Sequence, residues 1–117
     1  NNVGAELADW PTAIKRLYGY AEANAKCSDS GWLVTELWLP THEIGQGAEP
    51  GKARTTKNGT PMADIQHEYY KVVFDQYIAY TGEIKPAGLG FTSYLNPTAS
   101  VKGRPAEAII KDFFHKL

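Results

Sequence analysis

Apolar and polar positions along the chain sort it into six segments. From Asp9 to Lys26, Ile14, Leu17, Tyr18, Ala21 and Ala25 recur at the three- and four-residue spacing of one helical face, with Lys15, Arg16 and Glu22 elsewhere. That spacing predicts an amphipathic helix. Asp9 suits its N-cap, Pro11 its first turn, and the cluster Ser28, Asp29, Ser30, Gly31 its end. Gly19 in its interior either weakens the helix or admits a close neighbour.

The run from Trp32 to Leu39, W-L-V-T-E-L-W-L, is rich in β-branched and aromatic residues and stops at Pro40, which predicts a strand. Period two places Leu33, Thr35, Leu37 and Leu39 on one face and Trp32, Val34, Glu36 and Trp38 on the other. Both faces are largely apolar, as in a central strand, or in one whose indole-bearing face lines a concave surface.

Residues 41–60 carry five glycines or prolines among few apolar residues, namely Gly45, Gly47, Pro50, Gly51 and Gly59, and predict a long excursion. Asn58-Gly59 suits the tip of a short hairpin, although Pro61 would cut the returning strand short. Thr60 and Pro61 fit an N-cap and a first helical position, opening a helix from about Pro61 to Tyr80 that Gly82 closes. On its wheel Ile65, Tyr69, Tyr70, Val72, Val73, Phe74 and Tyr77 fill an arc roughly 200° wide, more than a surface helix needs, so this helix is expected at the centre of the core.

Between Glu83 and Pro97, Leu89, Phe91 and Leu95 alternate with Gly90, Thr92 and Tyr94, which predicts a second strand with a bulge or close approach at Gly88 and Gly90. Pro105 then opens a last helix with Ala106, Ile109, Ile110, Phe113, Phe114 and Leu117 along one stripe. The order helix, strand, loop, helix, strand, helix predicts an α+β fold. About three helices would pack on a short antiparallel or mixed sheet, in a single domain over residues 1–117 with a mobile Gly-rich loop at 41–60.

Composition narrows the function classes. Of 117 residues, 43% are apolar and 21% charged, outside the disordered regime. Twelve Lys and Arg against thirteen Asp and Glu give a net charge of -1, which removes the broad positive field of a nonspecific nucleic-acid or anionic-membrane binder. No run approaches the ~20 apolar residues of a membrane span. Cys27 stands alone, so no intramolecular disulfide forms; this slightly favours the cytoplasm, and a small buried hydrophobe is its expected role. The start at Asn1-Asn2 fits a trimmed chain and a mature form cleaved from a signal peptide equally well.

Several constellations invite chemistry. Gly47 to Lys52 departs from a phosphate loop, since its glycines are four apart and Ala53 stands where the magnesium-binding hydroxyl would be. Asp64, His67 and Glu68, with His42 and Glu43, could gather a divalent metal. Asp64, Glu68, Lys71 and Asp75 lie opposite the apolar arc, however, where alternating charge solvates a helix face, so neither a metal nor another cofactor is expected. Glu36 among apolar neighbours is a candidate general acid or base, with His42 or His67 as its counterpart; the plainer expectation is a sheet-edge carboxylate paired with Lys or Arg. Lys52, Arg54 and Lys57 form a short cationic stretch that could grip phosphates.

The reading these features favour is a small binding or accessory domain that recognises a protein or peptide partner. Its recognition surface would combine Trp32 and Trp38 of the strand with Lys52, Arg54 and Lys57 of the loop. A small enzyme using Glu36 with His42 or His67 comes second, and a nucleic-acid accessory protein using the basic loop third.

Overall fold

The computed structural model describes residues 9–34, 36–43, 47–49, 51–91 and 98–116. Among the described residues the chain forms three helices: α1 (Trp10–Cys27), α2 (Met62–Ile78) and α3 (Pro105–Lys116). The fold is helical, and the expected α+β arrangement is corrected, because no strand or sheet forms among the described residues. Among the described residues, no helix is long and apolar enough to cross a membrane.

The physical reason lies where the two expected strands meet. They touch at a single parallel bridge, Val34 to Leu89, held by Ala87 N–H to Trp32 O (2.8 Å), Val34 N–H to Gly88 O (3.1 Å) and Gly90 N–H to Val34 O (2.8 Å). A parallel pair needs a wider sheet buried on both faces. Here Pro86 precedes the pairing segment and Gly88 and Gly90 bring no side chains to cover it. The pleat also fails: Leu33 is exposed while Leu37 is buried, although period two would put both on one face. Of the expected strand and loop positions, Thr35, Gly45, Pro50, Thr92, Tyr94, Leu95 and Pro97 lie outside the described residues, as does Leu117 of the last helix.

The chain packs as two compact units, divided within α2 at Lys71 and Val72. The first comprises α1, the segment to Leu37 and Val72–Gly90. Its core is Tyr18, Ala25 and Trp32, flanked by Ile14, Ala21, Val34, Tyr77, Tyr80 and Ile84. Tyr18, Trp32 and Tyr80 form a ring trio with centroids 5.5 to 5.9 Å apart, at the edge-on and tilted angles that aromatic quadrupoles favour. Each ring also spends its polar atom inside the unit. Tyr18 Oη donates to Val73 O (3.1 Å), Trp32 Nε1 to Ile84 O (2.9 Å) and Tyr80 Oη to Glu22 Oε2.

α1 turns a slightly different face inward than its aliphatic spacing suggests. Trp10, Tyr18, Glu22 and Ala25 are buried, while Leu17 is exposed. Its C-terminus closes as a Schellman motif, with Ser30 N–H on Ala25 O (2.9 Å), Asp29 N–H on Lys26 O (3.3 Å) and Asp29 at φ 52°. Cys27, expected to be buried, is exposed on the last turn. Gly19 meets no neighbour, so its packing role is absent too.

The second unit comprises Trp38–Lys71 and the described residues from Phe91 onward. Thr41 to Glu43 pairs antiparallel with Lys52 to Arg54, through Glu43 N–H to Lys52 O and Arg54 N–H to Thr41 O (both 2.9 Å). The chain then doubles back through a tight turn. Thr56 N–H reaches Thr60 O (2.8 Å), Met62 N–H reaches Arg54 O (2.9 Å), and Gly59 takes φ 83°. Pro61 thereby caps α2 instead of opening it: its carbonyl accepts from Asp64 and Ile65. Gln66 of α2 is fully buried and donates through Nε2 to Leu39 O, Ala99 O (both 3.1 Å) and Ser100 O (3.3 Å). Ala106, Ile110 and Phe113 supply the buried stripe of α3.

Candidate functional site

The first unit holds an open groove of about 320 Å³, lined by Leu17, Tyr18 and Ala21 of α1 and by Trp32, Leu33, Val34 and Glu36 of the segment that follows. α1 contributes these three because they sit three and four residues apart on one stripe. Trp32, Leu33, Val34 and Glu36 line it without belonging to a sheet among the described residues. Leu17 and Leu33 keep 51% and 57% of their surface in contact with solvent. Glu36 is exposed at the groove, and neither a hydrogen bond nor an ion pair engages its carboxylate among the described residues.

The residues singled out from the sequence are distributed unevenly. Trp32 and Glu36 share the groove lining, but Trp32 is buried and its indole N–H is spent on Ile84 O. Trp38, expected beside it, belongs to the second unit and is 45% exposed. Glu36 belongs to the first unit, and His42 and His67 to the second.

Within the second unit, His42 Nδ1 lies 3.1 Å from Arg104 Nη2 and 2.9 Å from Thr41 Oγ1. A guanidinium only donates, so Nδ1 accepts and the proton of the neutral ring sits on Nε2. Desolvation, reinforced by the Arg104 charge, holds the His42 pKa below its ordinary value. Arg104 also donates to Ser100 O, and its partial burial lowers its own pKa. His67 lies on α2 with Nδ1 3.2 Å from Glu68 Oε1. Asp64, Glu68, Lys71 and Asp75 are all exposed. No three His, Cys, Asp or Glu side chains converge as metal ligands among the described residues.

Lys52 is committed locally, to Glu43 and Glu49 (both 3.4 Å). Glu43 also accepts from Glu49 N–H (2.9 Å); that hydrogen bond first, and the nearby Lys52 charge next, hold its carboxyl below the usual range. Arg54 and Lys57 are exposed. Of the cationic stretch, Lys52 is therefore held by two carboxylates.

Glu22 and Gln66 are among the buried polar groups that escape sequence reasoning. Glu22 accepts from Tyr80 Oη and from Ile84 N–H (3.0 Å), with Lys26 Nζ at 3.7 Å. Gln66 anchors three carbonyls. Both carried a positional signal: Glu22 follows Tyr18 by four residues, and Gln66 lies four from both Met62 and Tyr70. No protein-family model, curated protein or solved structure matches the chain.

Proposed function

We propose that the chain is a small binding or accessory domain that recognises a protein or peptide partner, and that the groove lined by α1 and by Trp32, Leu33, Val34 and Glu36 is its docking surface. The carrying observation is the exposure of Leu17 and Leu33 on the walls of an otherwise apolar depression. Isolated exposed leucines are ordinary, but two on opposite walls of one concave surface offer a partner a contiguous apolar area to bury. An enzyme reading draws less support. Glu36 sits in contact with solvent, and the described lining residues include no histidine to act as its counterpart. The nucleic-acid reading is weakened by the commitment of Lys52 to two carboxylates.

The test is affinity capture from an extract of the source organism with three baits: wild type, Leu33→Asp and Lys57→Ala. Leu33 is exposed, so the aspartate leaves the core intact, which circular dichroism verifies. The expected result is one protein, identified by mass spectrometry, captured by wild type and Lys57→Ala and lost with Leu33→Asp. Equal capture by wild type and Leu33→Asp refutes the groove as the docking surface.

A further inference from the structure

The groove also constrains what it can hold, and this inference rests on the docking reading above. Among the described residues, Tyr18 and Trp32 are the only lining side chains with a donor hydrogen, and both are spent: the phenol on Val73 O and the indole on Ile84 O. To an occupant the lining side chains thus present carbon and a single charged group, the Glu36 carboxylate, which has no partner among the described residues. The α1 positions that flank Leu17 on the helical wheel, Ala13, Tyr20 and Asn24, are uncharged. A volume of about 320 Å³ seats one or two large side chains, being at the lower end of the ~300–1,000 Å³ of ligand pockets.

We propose that the occupant is a peptide segment that inserts an apolar side chain between Leu17 and Leu33 and carries a lysine or arginine whose cation meets Glu36. A carboxylate or phosphate at that position would face like charge, and no lining side chain among the described residues has a spare donor hydrogen to offset it. Because Glu36 is solvated, its ion pair adds only roughly threefold to affinity and acts chiefly as a selectivity element. Charge reversal acts more strongly, since attraction becomes repulsion.

The experiment selects random twelve-residue peptides displayed on phage against the immobilised full chain, using wild type, Glu36→Gln, Glu36→Lys and Leu33→Asp, each verified as folded by circular dichroism. Wild type is expected to enrich peptides with Leu, Ile, Phe or Trp within four residues of Lys or Arg. A synthetic peptide of that kind should lose roughly threefold in affinity with Glu36→Gln and about tenfold with Glu36→Lys. Selection on Glu36→Lys should turn to peptides with Asp or Glu. Apolar peptides without a basic preference, or the same basic preference on Glu36→Lys, overturn the charge inference and leave the groove reading standing. Enrichment that survives Leu33→Asp, or none above bare support, overturns the groove reading and this inference with it.

Discussion

Replacing Glu22 by alanine removes the acceptor that ties the segment after α2 to α1. Glu22 is 8% exposed, and its carboxylate accepts from Tyr80 Oη and Ile84 N–H. Hydrogen bonds to a charged group contribute about 1.5–3 kcal/mol each when well shielded. Tyr80 and Ile84 are both partly exposed, so water replaces some of that loss. Alanine is also the better helix former by about 0.3 kcal/mol. The net expectation is a destabilisation of about 2–3 kcal/mol, or roughly 10 °C in Tm for a chain of this size. Glu22→Gln retains an acceptor for Ile84 N–H while the Tyr80 hydroxyl reorients to accept from the amide, so it should cost only about 1 kcal/mol. Urea unfolding followed by tryptophan fluorescence reads both, since Trp32 packs against Tyr80 at 5.7 Å. A double-mutant cycle with Tyr80→Phe should give a coupling of about 1 kcal/mol. A Glu22→Ala loss below about 0.5 kcal/mol, or strict additivity with Tyr80→Phe, would refute the clasp.

Other outcomes follow from the same coordinates. A Cβ at Gly82 would collide with the Glu22 carboxylate and the Tyr80 ring, so Gly82→Ala should cost roughly 1–3 kcal/mol in thermal melts and distinctly less in a Glu22→Ala background. Asp29 adopts a left-handed backbone at the end of α1; Asp29→Gly should stabilise by about 0.5–1 kcal/mol, and a lowered Tm would count against the Schellman assignment. His42 is held neutral in the fold, with its pKa below the ordinary 6.5, so the unfolded chain takes up its proton first. Its contribution to stability is full above pH 6.5 and is lost as pH falls below that value towards the folded pKa. Between pH 7 and 5, wild type should lose more stability than His42→Gln in urea titrations, and equal slopes would remove His42 from the latch with Arg104.

The helices are legible in the chain because each carries its own periodicity and its own stops. Pro11 and the Ser28–Gly31 cluster bound α1, Pro105 opens α3, and the apolar positions of α2 recur with helical spacing. That no sheet forms among the described residues is not legible, because residue type does not specify a pairing partner. Trp32 to Leu39 has strand composition, but a ladder needs a second segment of matching length, and the partner brings Pro86, Gly88 and Gly90. The candidate site is legible in part: Trp32 and Glu36 stand out in the sequence, whereas Leu17 and Leu33 read there as core and turn out to be exposed walls of the groove.

The chain by itself therefore determines the three helices found among the described residues, the ends of α2 only to within about two residues, the solvated charge stripe on α2 and a net charge too small for bulk electrostatic binding. These are local or additive properties, set by spacing, capping and composition. Tertiary structure decides which face of α1 turns inward, that Glu22 and Gln66 are buried with partners distant in sequence, that Lys52 is neutralised by Glu43 and Glu49, and that Trp32 is covered while Trp38 is not. Each of these depends on which remote backbone group or side chain arrives beside the residue. Periodicity reports the direction a side chain points, and only packing decides what it meets there.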